Sequence, residues 1–467
     1  MSLETFRSGI RIIARVTVRR ARQAALKRGQ GVAATIAAAM LLSFPGAVSA
    51  REAPILFRDV NLFDGHRMSA HRSVLVRDGH IAWVGSQLAR VKGATVVDGS
   101  GKTLLPGLID AHVHLPHIHT DEALTQSARL GVTTVIDMFT DQPTLKILKA
   151  LEAADGPGLA DLRTAGVGAT APGGHPTELG GAEIPTISSP SEADSFISHR
   201  VAEGSDFIKV ILEDASQYGG QIKPFPTLNE ATLRALIEAA HRRGKMVAVH
   251  VQTEAFARLA IEAGADGLAH SLLGSSLSPD FGRFAAAHHV FVIPTLTAEY
   301  VACGKLDNVA LANDRALMAQ TFPQFTALLK RSKRTTSISC AATDEAVKQL
   351  NDAGVDLLIG TDSPAPGSTY GASTLDELAL FVSDGMSPVK ALIAATSTPA
   401  RIFHLNDRGE IAPGKRADLL LVSGDPSRNI EDVKNILGVW KKGREIPRVA
   451  PGRGGPGQPS VPSNNQS

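Results

Sequence analysis

Eight short apolar runs, spaced by stretches of helical periodicity, constrain this chain more than any other feature of its sequence. They are Leu104 to His112, Val132 to Met138, Leu162 to Val167, Phe207 to Leu212, Met246 to Val251, Gly267 to His270, Val290 to Leu296 and Leu357 to Thr361. Runs apolar on both faces suit strands of a parallel sheet, because parallel strands need crossovers and helical crossovers cover both faces. The clearest helical pattern is Leu228 to Arg243, with Thr227 and Glu230 spaced as a capping box. Eight such strands with crossover helices describe an α/β fold, a (β/α)8 barrel, over residues 106–407. The segment Glu299 to Lys348 reads as a helical insertion or extended helical hairpin before the last strand.

The flanks have another character. Ile55 to Val60, Arg72 to Arg77, His80 to Val84 and Thr95 to Asp98 alternate and β-branch as half-exposed strands do, and Asp78-Gly79 is a hairpin signal. Ala417 to Val422 and Ile436 to Lys441 match them. Residues 51–105 and 408–447 are therefore expected to pair into one small β-sandwich domain. The Gly-, Pro-, Ser- and Asn-rich tail, 448–467, is expected to be disordered.

Residues 1–50 read as a signal peptide. Eight Lys and Arg residues between Arg7 and Arg28 precede an apolar run, Gly31 to Phe44, and then Ala47-Val48-Ser49-Ala50. The run is too short for the roughly 20 residues of a membrane span. Export to a periplasmic or secreted location follows, with the general or the twin-arginine route (Arg19-Arg20) left open. The balance of 48 basic and 46 acidic residues, and an aromatic content of 4%, argue against a nucleic-acid partner. Cys303 and Cys340 are the only cysteines. Their spacing carries no geometry, so two unpaired thiols are expected, and a Cys-based metal site is not supported.

Chemistry-bearing residues fall where a barrel places its active site, at the C-terminal ends of strands. His112 and His114 end the first strand, Lys209 lies on the fourth, His250 on the fifth, His270 on the sixth, and Asp362 follows the eighth. Two residues apart on a strand, His112 and His114 share a face, and neutral imidazole is the commonest metal ligand. Lys209 sits in Asp206-Phe207-Ile208-Lys209-Val210-Ile211-Leu212, a buried run in which an unpaired lysine is costly.

Pro106-Gly107-Leu108-Ile109-Asp110-Ala111-His112-Val113-His114 resembles the first-strand signature of the amidohydrolase superfamily. Gly131-Val132-Thr133-Thr134 is similar to its second strand, and Ile411-Ala412-Pro413-Gly414-Lys415-Arg416-Ala417-Asp418-Leu419 to its closing segment. The likeness covers most of 54–445 and is strongest to the imidazolonepropionase-like and prolidase-like branch, whose members cleave dipeptides, N-acyl amino acids and related amides. The resemblance implies two divalent metal ions, zinc by family default. His112, His114 and Asp362 would hold one, His250 and His270 the other, and Lys209 would bridge them as a carbamate formed with carbon dioxide. It implies amide hydrolysis of a small molecule by a metal-activated hydroxide, with Asp362 as general base and acid.

His175, in the Gly-rich loop after the third strand, and Tyr218, in the loop after Lys209, are candidate substrate contacts. His117 and His119 read as loop structure. A homo-oligomer is left open. Three alternatives stand: lactone or phosphotriester hydrolysis on the same centre, a mononuclear deaminase, and a non-catalytic binding protein. Deaminases of this fold carry a glutamate where this chain has Thr253, and they lack the fourth-strand lysine. One departure from the dipeptidases is Glu213-Asp214-Ala215, which replaces a small, Gly-rich run and puts peptide specificity in doubt.

Overall fold

A computed structural model describes residues 53–86, 90–180, 183–331 and 338–450. The signal-like segment and most of the tail lie outside these residues. Among the described residues, no helix is long and apolar enough to cross a membrane.

Five strands come first: β1 (Ile55–Phe63), β2 (Met68–Arg77), β3 (His80–Gly85), β4 (Thr95–Asp98) and β5 (Lys102–Pro106). The central strands are β6 (Leu108–Val113), β7 (Val132–Asp137), β8 (Asp161–Thr164), β9 (Ile208–Ile211), β10 (Val247–His250), β11 (Gly267–Ala269) and β12 (Phe291–Ile293). β13 (Leu419–Ser423), β14 (Ile436–Lys441) and β15 (Arg444–Glu445) follow. The strands from the two ends form one eight-stranded sheet, because β13 pairs antiparallel with β5. Asp78 and Gly79 both take positive φ in the hairpin joining β2 to β3, as a type I′ turn requires.

The central strands pair in parallel, β6–β7–β8 and β9–β10–β11–β12. Bridges join the two ladders at Ala169 with Val210, Val292 with Leu357 and Val113 with Ser363. The Ala111 amide donates to the Ile359 carbonyl at 2.8 Å, so the pairing returns to β6. This is a TIM-barrel-like α/β fold. Its central cluster includes Ile109, Ala111, Ile136, Ala248, Phe291, Ile293 and Leu358, all buried.

Five expectations change. The run Leu104 to His112 is two strands, because the chain breaks at Gly107 to leave the terminal sheet. A Cβ there would lie 2.2 Å from Thr133 Oγ1. The helix Glu230–His241 is capped by Asn229, whose side chain accepts from the Thr232 amide, rather than by Thr227. The Thr227 hydroxyl instead accepts from the Glu213 amide at 3.1 Å. Of the two forms expected for 299–348, the described residues show the helical insertion and not an extended hairpin: short helices Leu296–Cys303, Val309–Asn313, Arg315–Met318 and Pro323–Leu329 precede Ala341–Asp352. Positive φ at Gly304 and Asn308 interrupts it. Cys303 and Cys340 form a disulfide, with their Cα atoms 5.9 Å apart, because that folded segment returns one to the other. Finally, the tail begins ordered: Arg448 donates to the Ile436 carbonyl at 2.7 Å and the Val449 amide to Gln320 Oε1 at 2.9 Å.

Asp161, at the start of β8, binds the terminal segments to the central strands. Arg408 pairs with it, Arg416 lies at 2.6 Å and Lys441 at 2.5 Å. All three cations are buried. Burial raises the Asp161 carboxyl, but Arg416, Arg408 and Lys441 outweigh this and hold it well below the usual carboxylate range. Removing one partner of a buried pair strands the others, though Arg416 keeps Asp418 and Arg408 keeps Asp407. Asp161→Asn should therefore cost about 3 kcal/mol, at the lower end for such a loss, measured by denaturant unfolding. The difference from the native chain should be complete above the unfolded pKa of about 3.9 and shrink as pH falls towards the depressed folded value.

Candidate metal centre

His112 and His114 leave β6 on one face, and the chain after the bridge at Leu357 brings Asp362 against them. Asp362 Oδ1 lies 3.3 Å from His112 Nε2 and 2.9 Å from His114 Nε2, and the two Nε2 atoms are 3.4 Å apart. Ligands at about 2.0–2.1 Å from one ion in tetrahedral geometry stand about 3.3 Å from each other. The three donor atoms fit a shared divalent cation. Asp110 ties β6 to the chain beyond β12 by accepting from the His112 and Thr361 amides, each at 3.2 Å, and from the Thr361 and Thr374 hydroxyls. His114 Nδ1 donates to the Phe139 carbonyl at 3.2 Å, which leaves Nε2 as its lone-pair nitrogen. Asp362 sits at φ 55°, a left-handed conformation unusual outside glycine and frequent at functional sites.

Electrostatics agree with that use. Burial lowers the His112 imidazole to about 3, keeping it neutral. Burial raises the Asp362 carboxyl, but the His112 and His114 ring nitrogens beside it overcome this and hold it well below its ordinary value. A neutral imidazole beside an ionised carboxylate is a metal-ligand pair.

A second group adjoins the first. The His270 ring centroid is 4.6 Å from that of His112 and 4.4 Å from that of His250. His270 Nδ1 bonds Thr295 Oγ1 at 2.8 Å, which leaves its Nε2 for the site. His250 Nε2 meets Glu213 Oε2 at 2.7 Å, and the His250 ring lies 5.3 Å from that of His175. Burial lowers both His250 and His270. Lys209, 1% exposed on β9, has no hydrogen-bond partner for Nζ among the described residues. Burial pulls its amine down to about 7. A buried, readily deprotonated amine without a partner is what carbamate formation needs.

Of the six residues read from the sequence as ligands, His112, His114, His250 and His270 lie at or just beyond the C-terminal ends of β6, β10 and β11, Lys209 lies within β9, and Asp362 follows the bridge at Leu357. Contacts join His112, His114 and Asp362, and ring contacts join His112, His270 and His250. His175 belongs to the same region: its Nδ1 bonds Glu178 at 2.6 Å, and with Glu213 and His250 it makes a second cluster able to hold an ion. Tyr218 is held as the neutral phenol, raised by burial and then by Glu213 and Glu299. His117 and His119 turn aside to Thr144 and Glu122, as loop structure.

Sequence reasoning missed Asp137, Glu213, Gln217, Gln252 and Glu299. Asp137, fully buried, accepts from the Leu115 amide at 2.8 Å and the Thr164 hydroxyl at 2.6 Å. Strand parity could have found two of them. Glu213 stands four residues beyond Lys209, and Gln252 two beyond His250, the even spacing that shares a face along a continued strand.

A model of the amidohydrolase family matches residues 103–446. The chain is 26% identical over 370 residues to an imidazolonepropionase of Salinispora arenicola, covering 75% of this chain and 85% of that one. It is 25% identical over 419 residues to a dihydroorotase of Pelotomaculum thermopropionicum, covering 80% and 89%. Among solved structures it superposes on a Xaa-Pro dipeptidase with bound methionine at a TM-score of 0.68 and 21% identity, covering 84% and 99% of the two chains. On A. niger ochratoxinase it superposes at a TM-score of 0.64 with 18% identity, covering 87% of this chain and 96% of that one. The structural likenesses speak to the fold.

Asp362→Ala removes one corner of the donor triangle. Elemental analysis of the gel-filtered variant should show less bound divalent metal than the native chain. An unchanged metal content in a folded variant would contradict the fit.

Proposed function

This chain belongs to the amidohydrolase family, and on that premise we propose that it is a metal-dependent hydrolase that cleaves an amide C–N bond of a small molecule. The observation that carries this reading is the triangle of His112, His114 and Asp362 set against His250, His270 and an unpartnered Lys209. The imidazolonepropionase and dihydroorotase relatives act on C–N bonds and support it. We assign residues 106–407 to a (β/α)8 barrel and 51–105 with 408–447 to a β-sandwich domain.

His112, His114 and Asp362 would hold one ion and His250 and His270 a second, with Lys209 as a carbamate between them; zinc suits this nitrogen and oxygen donor set. Divalent ions bound there lower the pKa of a ligated water from about 15.7 to about 7 and polarise an acyl oxygen. The chain's own part is positional. Asp362 Oδ1, held by His112 and His114, takes the nucleophile's proton and returns one to the leaving amine. His175 bonds Glu178 through Nδ1; burial lowers its pKa, but the Glu178 hydrogen bond and the Glu213 carboxylate raise it, favouring the imidazolium, whose Nε2–H would donate to a substrate carboxylate or acyl oxygen. Tyr218, held as the neutral phenol, would offer a phenolic donor to substrate.

The deaminase alternative loses support at Thr253, whose side chain caps the helix Glu254–Glu262 by accepting from the Phe256 amide. The substrate class we favour is a dipeptide, N-acyl amino acid or related amide; lactones and phosphotriesters are the competing classes. Export also remains our reading, and the disulfide supports it, since such bonds persist in oxidising compartments.

A hydrolysis screen over N-acyl amino acids, dipeptides, lactones and aryl phosphotriesters tests the reaction class. Turnover of amides is expected, and turnover confined to lactones or phosphotriesters would displace the reading. Lys209→Ala should lose most activity and the second ion, with short carboxylic acids restoring part of both. Undiminished activity in that variant would sink the carbamate bridge.

A further inference from the structure

Loops that leave two neighbouring strands beside the candidate centre enclose a cavity of about 590 Å³. Phe139 and Asp141 line it from the segment after β7, Pro172 and Pro176 from the segment after β8, and Ile184 from that segment's return. The volume falls within the roughly 300–1,000 Å³ of small-molecule sites. Two contacts tie the cavity to candidate ligands. The Phe139 carbonyl bonds His114 Nδ1 at 3.2 Å. The ring of His175, which lies between Pro172 and Pro176 in the chain, has its centroid 5.3 Å from that of His250.

Both loops are held in place. The Thr140 amide donates to the Gly166 carbonyl and the Ile187 amide to the Thr170 carbonyl, each at 3.0 Å. The Thr170 hydroxyl donates to the His175 carbonyl at 2.6 Å. Gly168 makes room for the Phe139 ring, since a Cβ there would stand 2.5 Å from Phe139 Cε2. The charge of the cavity is one-sided: among the described residues that line it, Asp141 and Glu183 are acidic and none is Lys, Arg or His. Asp141 is partly engaged, accepting from the Thr144 amide at 2.7 Å as the cap of the helix Gln142–Ala154. A carboxylate entering this space would meet two like charges and no counter-charge. An apolar group would exchange water for the side chains of Phe139, Pro172, Pro176 and Ile184.

We propose that this cavity is the specificity pocket of the centre, admitting an uncharged aromatic or branched aliphatic group of the substrate and refusing an acidic one. This rests on the reading of the centre as that of an amide hydrolase. With His175 at the cavity's edge to take a carboxylate, the substrate class narrows to N-acyl amino acids that carry a bulky apolar group on one side of the amide.

Two substrate series test it on the native, metal-loaded chain. One holds the acyl group constant, as the N-acetyl derivatives of glycine, leucine, phenylalanine and glutamate. The other holds glycine constant and varies the acyl group through acetyl, isovaleryl, benzoyl and succinyl. In one of the two, kcat/KM for the apolar members should exceed that of the smallest by roughly 10–100-fold, the worth of burying a Leu- or Phe-sized side chain. The acidic member should fall below the smallest. Ile184→Trp fills the cavity and should shrink the ratio of apolar to smallest. Ile184→Lys adds a counter-charge and should raise the acidic member relative to the apolar ones, a reversal that a merely structural role does not produce. Flat series, a native preference for the acidic member, or unchanged ratios in both variants overturn the proposal and leave the amide reading standing. So does turnover of neither series beside turnover of other amides. If no amide at all is hydrolysed, the amide reading fails, and this inference fails with it.

Discussion

A parallel strand buried on both faces has room for an ionisable side chain chiefly at its end, where neighbouring ends can share the cost of its burial. The layout of the candidate site follows from that constraint. The central strands carry apolar residues along their length, and the polar groups gather at one rim. Lys209 is the exception that shows the force of the rule. Placed within β9 and 1% exposed, it meets no acceptor among the described residues, and burial brings its amine to about 7 against the opposing pull of Asp362 and Asp137. Such a group persists where chemistry changes it or a ligand neutralises it.

The opposite end of the strands solves a different problem. There Asp161 collects Arg408, Arg416 and Lys441 from the closing segment of the chain. Sequence-distant cations converge on one carboxylate, and the terminal sheet is registered against the central strands. Glu377 does similar work nearer the rim, accepting from the Leu296 and Thr297 amides at 2.6 and 2.7 Å where the helix Leu296–Cys303 begins. That helix carries Glu299, and the disulfide at its last residue holds its far end. The residues around His270 are therefore supported from both ends of one short helix.

Much of this was legible in advance because period and position are local signals. Eight apolar runs, the His112-Val113-His114 spacing and Asp362 after a strand end are readable without tertiary knowledge. The failures share a cause. The run Leu104 to His112 is uniformly apolar, and nothing in apolarity says that half of it pairs with Leu419–Ser423 and half with Val132–Asp137. Thr227 and Asn229 are both good caps, and the contest was decided by Glu213, whose amide engages Thr227. Cys303 and Cys340 meet only because several short helices fold the intervening chain back. Glu213, Gln252 and Glu299 were invisible as a set because their connection is side chain to side chain across three strand ends.

The site also sorts its carboxylates, and the sorting follows from what each one touches. Asp137 and Glu299 have hydroxyl, amide or backbone partners, and burial prevails: Asp137 rises to about 6 and Glu299 well above its ordinary value. Asp362 and Glu213 face burial too, but imidazoles stand against them. Asp362 is held well below the usual range by His112 and His114, and Glu213 is brought to about 2 by His250 and His175. Similar burial therefore yields opposite outcomes, decided by the presence of a ring nitrogen at hydrogen-bond distance. The two carboxylates held low, Asp362 and Glu213, are the two that stand beside candidate ligand histidines. Glu299, raised well above its ordinary value, can donate as well as accept, whereas Asp137, raised to about 6, accepts from the Leu115 amide and the Thr164 hydroxyl.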